Sequence, residues 1–124
     1  MTSRFFINEN DKPKNFEYSR SFISYVSNGF PDLEPWKLLS SSEIASILKG
    51  LKQRYPERIV VPFARRFDND DRACFDASKS LVESKIIIIH DFSTPGWEKR
   101  GELESFENWL KLVEEDIKEW KEDR

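Results

Sequence analysis

One histidine and one cysteine limit the chemistry that these 124 residues can perform. Nucleophilic catalysis needs a nucleophile with a base within hydrogen-bond reach. His90 ends an isoleucine run and stands beside Asp91. Neighbours on a strand point to opposite faces, so the two are poorly placed as a dyad with each other. Cys74 falls in another predicted strand and could approach His90 from there. A simpler account outweighs that pairing: a buried apolar thiol, since free cysteine is among the most buried residue types, and a hydrogen-bonded histidine at a strand end. A single cysteine excludes an internal disulfide framework and a cysteine-rich zinc site, and a single histidine excludes a paired-histidine metal motif.

The run Asp68-Asn69-Asp70-Asp71 has the oxygen ligands of a calcium loop only at its start. Such a loop needs further oxygens at alternate positions, a glycine at the sixth and a glutamate at the twelfth, where this chain has Ala73 and Lys79. A hydrated acidic hairpin turn is the better reading. The glycines at 29, 50, 96 and 101 are scattered, so no phosphate-cradling loop exists, and no metal or cofactor is expected. Between Lys49 and Arg66, six basic residues face Glu57 alone. With a net charge of −3 and a run that crosses two elements, they read as a solvated surface or a patch for an acidic protein partner, not as a nucleic-acid site. The acidic stretch Glu114–Arg124 reads as the solvent side of a last helix. Trp36 and Trp97 lie in predicted loops near prolines, where each either caps the core or anchors an interface.

These side chains must be held by something, and the composition supplies it. Ten Phe, four Trp and three Tyr are enough to build one core, and the length suits one domain. The longest apolar run, Ile86–Ile89, is too short to span a bilayer, and the first residues turn acidic before a signal-peptide core could form. A cytoplasmic protein is therefore expected.

Residues 1–14 read as an N-terminal arm, with Phe5-Phe6-Ile7 as a short strand within it. In residues 15–28, Tyr18, Phe22, Tyr25 and Val26 share one helical face, which favours a helix over the competing strand. Pro31 and Pro35 keep residues 30–39 from being a regular helix, and Trp36, Leu38 and Leu39 pin that segment to the core. Ser40 and Glu43 form a capping-box pattern that opens a helix over about 41–54, within which Gly50 costs up to ~1 kcal/mol relative to Ala. Arg58–Ala64 and Arg72–Ala77 read as a hairpin around the acidic turn. Pro62 makes the first of them an edge or a bulged strand, and an exposed edge there would allow a weak homodimer; a monomer is the alternative. Ser84–Phe92 reads as a central strand covered on both faces. Thr94–Gly101 reads as a loop. Ser105 caps a helix over 105–121 with an apolar stripe from Phe106 to Trp120. This order predicts an α+β domain with an antiparallel-rich central sheet packed with helices.

Four stretches taken together resemble the SUKH superfamily of fungal cell-wall regulators and bacterial immunity proteins. They are the Phe16–Gly29 helix with its Asn-Gly end, Val61-Pro62-Phe63-Ala64 followed by an Asp-rich turn and Ala73-Cys74-Phe75-Asp76, the Ile87–Asp91 strand, and Ser105-Phe106-Glu107-Asn108-Trp109-Leu110. The likeness covers most of residues 16–115, within one domain over 15–124. It implies a non-catalytic immunity protein that binds and neutralises a toxin domain, with no catalytic residue to carry over. The alternative is a regulatory interaction scaffold unrelated to toxins. Under the first reading Asp68, Asp70, Asp71, Trp97, Glu98 and Arg100, in the two loops flanking the strands, form the partner surface. Their acidic groups would steer a basic toxin and their aromatic would anchor it. Neither nucleic acid nor membrane is an expected partner.

Overall fold

Apolar strands build a sheet at the centre of the molecule, and the computed structural model describes residues 2–79 and 84–123. Strands β1 (Trp36–Leu38), β2 (Val60–Arg66), β3 (Asp71–Asp76), β4 (Ile86–His90) and β5 (Lys99–Leu103) pair antiparallel in chain order. With α1 (Arg20–Ser27), α2 (Ser41–Arg54) and α3 (Phe106–Glu122), they make the α+β architecture that the element order predicts.

Alternation along β3 and β4 gives the sheet two different faces. Phe75, Ile86 and Ile88 meet Phe22 of α1 and Phe106, Trp109 and Val113 of α3 in one buried cluster. Cys74, Ile87 and Ile89 turn the other way, with Val60, and meet Leu51 of α2 and Tyr55 just beyond it. No helix among the described residues is long and apolar enough to cross a membrane.

The helix signals are realised as local chemistry. Ser40 and Glu43 close a reciprocal capping box at the start of α2. The Ser105 hydroxyl accepts the Asn108 N–H at 3.2 Å and opens α3. Helix α1 begins later than residue 15, because Ser19 is its cap and accepts the Phe22 N–H.

Two expectations are corrected, the first at the N-terminus and the second at the last strand. Phe5-Phe6-Ile7 is not a strand: Thr2–Phe5 is a 3₁₀ turn. Phe6 stacks on Tyr18, and the Ile7 N–H donates to the Tyr18 hydroxyl, so the aromatic triplet packs against α1 instead of pairing with the sheet. Pro62 lies at a bulge, one of the two placements its missing N–H allows. Strand β1 pairs with β2 at Ala64, Arg65 and Arg66, the far end of that strand. Lys99, Arg100 and Gly101 belong to β5, not to a loop. That strand is an outer one with exposed, mostly charged side chains, so it carries almost no apolar period to read.

Candidate functional site

The side chains singled out for catalysis do not meet. Cys74 is fully buried and pairs across the sheet with Ile87, on the face under α2. Burial pushes its thiol well above the ordinary cysteine value, which disfavours a reactive thiolate. His90 faces the opposite way and sits over Asp71, its Nδ1 2.7 Å from Asp71 Oδ1. The Arg100 Nε stands 3.7 Å from the same oxygen. His90 and Asp91 also point apart, as strand geometry requires.

Within the acidic turn, Asp68 is held by Arg66 through two hydrogen bonds of 2.8 and 3.0 Å, and the Asn69 side chain accepts the Asp71 N–H. Among the described residues no group of three or more ligating side chains could hold a metal ion.

Asp91, on the α2 face, begins a loop that runs to Glu98, and two carboxylates tie that loop to the last turn of α2 and to the turn that follows it. Arg54, at the last turn of α2, donates Nε and Nη2 to the two oxygens of Asp91 at 2.7 and 2.8 Å. This is the bidentate fork in which arginine outperforms lysine. Asp91 also accepts the Phe92 N–H at 2.8 Å, and Arg72 Nε lies 3.6 Å from it. Arg58 Nε donates to Glu98 at 3.0 Å, and the other Glu98 oxygen accepts the Gly96 N–H at 2.6 Å. The Tyr55 hydroxyl donates to the Ser93 carbonyl at 2.8 Å. Burial by itself raises the Glu98 carboxyl. The N–H groups of its own residue and of Gly96, with Arg58, outweigh that and hold it below the ordinary glutamate value.

The loop so clamped presents two large aromatic side chains to solvent. Trp97 is 81% exposed and Phe92 62% exposed. Phe92 also adopts a φ of 64°, a left-handed conformation that a bulky residue seldom takes. Its ring lies under the Arg54 guanidinium, 4.1 Å from carbon to centroid. Gly50 has its reason here as well: a Cβ at that position would stand 2.5 Å from Arg54 Nη2. The glycine thus lets Arg54 fold back along α2. A helix-weakening glycine, a strained phenylalanine and two exposed aromatics converge on one corner. Such local costs concentrate where a protein binds something.

The proposed surface residues divide. Trp97, Asp68, Asp70 and Arg100 are exposed. Asp71 and Glu98 are buried at 6% and 5% exposure and hold other groups in place, so they are corrected from contact residues to supports. Trp36 resolves as a core residue, its Nε1 donating to Asp116 at 2.9 Å. Phe92, Arg54, Asp91 and Arg58 were not singled out from sequence as one site. The one signal that could have found them is Gly50 four residues before Arg54, because a glycine inside a strong helix asks for a reason.

Between the end of α2 and the turn at Thr94–Glu98 lies a depression of about 570 Å³, lined in part by Arg54, Pro56, Glu57, Arg58, Pro95 and Gly96. No family model matches this chain, and neither the curated proteins nor the solved structures provide a match.

Proposed function

We propose that this protein is a non-catalytic immunity protein of the SUKH type, which binds a bacterial toxin domain in the cytoplasm and covers its active site. The observation that supports this reading is the exposed pair Trp97 and Phe92 on a loop clamped by Arg54–Asp91 and Arg58–Glu98. Exposed aromatics are the usual anchors of protein interfaces. A loop already held in one shape loses little conformational freedom on docking, so more of its contact energy appears as affinity.

The test is a pull-down from the native host with the tagged full chain, followed by co-expression. Recovery of one large protein with a toxin-like domain near a one-to-one ratio, whose toxicity this chain relieves, is the expected result. Recovery of several housekeeping proteins, with no relief of any toxin, would replace the reading with that of a regulatory scaffold.

A further inference from the structure

The depression beside the aromatic loop carries hydrogen-bond donors that the fold does not use. Arg58 commits its Nε to Glu98, and among the described residues neither of its Nη groups has a hydrogen-bond partner. Arg54 commits Nε and Nη2 to Asp91, leaving Nη1 without one. Both side chains line the depression, with 28% and 30% of their side-chain surface open to solvent. Their Coulombic partners are already in place, so the guanidinium groups are fixed before any ligand arrives. Pro56 and Pro95 form apolar walls, and Trp97 belongs to the same turn.

We infer that this depression accepts a carboxylate side chain of the partner protein, held by the unused Nη donors of Arg58 and Arg54, while Trp97 and Phe92 pack on apolar residues beside it. The inference rests on the reading of this corner as the partner surface and adds the chemistry of what docks there. A planar carboxylate matches the fork of a guanidinium, and charge-assisted bonds of this kind are about twice as strong as neutral ones. It also reverses the sign expected from sequence, in which acidic groups of this chain steer a basic partner.

A nucleic-acid phosphate would use the same donors. The surroundings disfavour it. Glu57 lines the same depression, and Arg54 and Arg58 are the only basic residues lining it among the described residues, so no run of cations tracks a backbone. Glu57 itself is a competing carboxylate, and its removal is predicted to improve the site.

The experiment titrates the isotope-labelled full chain with a capped Leu-Glu-Leu tripeptide amide, its Leu-Gln-Leu counterpart, inorganic phosphate and a ten-nucleotide oligothymidylate. The readouts are the NMR signals of Arg58 Nε–H and of the Trp97 indole. The glutamate peptide is expected to shift both signals and to half-saturate at about tenfold lower concentration than the glutamine peptide, the usual scale for a charged hydrogen bond. Arg58→Lys keeps the charge beside Glu98 but lacks the fork, and should erase that preference. Glu57→Gln should strengthen glutamate-peptide binding about twofold to threefold. Equal binding of the two peptides, tighter binding of phosphate or of the oligothymidylate, or no effect of Arg58→Lys would each overturn the inference. A toxin complex lost in Trp97→Ala but unchanged in Arg58→Lys would remove the carboxylate site and leave the toxin reading standing. Peptide binding as stated, with no toxin recovered, would do the reverse.

Discussion

Under α1 and α3, the sheet is held by rings: Phe22, Phe63, Phe75, Phe106 and Trp109 meet at centroid distances of 4.5 to 6.4 Å, mostly edge to face. At the far end of the α2 face it is held by ions, with Arg54 and Arg72 on Asp91 and Arg58 on Glu98. The first arrangement is non-directional and follows the apolar area removed from water. The second is directional, and its net contribution is small because the desolvation of each charge offsets most of the attraction. A domain that needed only to be stable would extend the first arrangement. The ionic corner instead fixes the shape of one loop, and that loop exposes aromatic side chains. The difference separates what keeps this chain folded from what it presents.

The largest expected effect lies on the aromatic face. Phe75 is fully buried, and Phe75→Ala should cost about 4 kcal/mol in urea unfolding, from lost burial and the cavity left behind. A loss below about 1.5 kcal/mol would show that the face collapses around the cavity and is less rigid than its geometry indicates.

Asp91→Asn comes next. It leaves Arg54 and Arg72 beside a neutral group in a largely buried place, and should cost about 3 kcal/mol, in the range for breaking a buried pair. If Asp91→Asn costs nothing, the ionic corner is ornamental and the contrast between the faces collapses.

Glu98 sharpens the comparison through pH. Its carboxyl is held below the ordinary value in the folded state, so it contributes stability above the unfolded-state value, and that contribution is lost as pH falls through the folded one. Glu98→Gln should therefore cost about 1.5 kcal/mol at neutral pH, and the gap to the parent should close as pH drops below about 4.3. Parallel unfolding curves for parent and variant over that range would rule out the linkage.

Trp97→Ala should have the smallest effect on folding, within about 0.5 kcal/mol, because the ring is 81% exposed. Its effect on partner affinity should be larger, about 2 kcal/mol by isothermal titration. A variant that unfolds more readily while binding the partner normally would reassign Trp97 to the scaffold.

Where local chemistry is strong, the elements are legible along the chain. The Ser40 and Glu43 capping box, the apolar stripe of α3 and the four isoleucines of β4 each carry their own period, and each forms near its expected bounds. β5 is illegible for the opposite reason. Its charged outer residues have no apolar period, and only pairing with β4 makes them a strand. Trp36 and Trp97 look alike in sequence, both in proline-bounded segments. Trp36 pairs into β1 and is buried against α3, whereas Trp97 precedes an outer strand and is left in solvent.

The sequence alone determined the fold class, because periods of hydrophobicity and caps are local and need no partner. It also placed Cys74 and His90 in strands where a working pair was not expected. Tertiary structure decided the candidate site. Arg54 and Asp91 are 37 residues apart and Arg58 and Glu98 are 40, and their bonds exist only because the end of α2 and the turn after it pack beside the β4–β5 connection. Long-range ion pairs leave no period in a sequence. A charge reads the same whether it is solvated or buried against its opposite, and only folding tells the two apart.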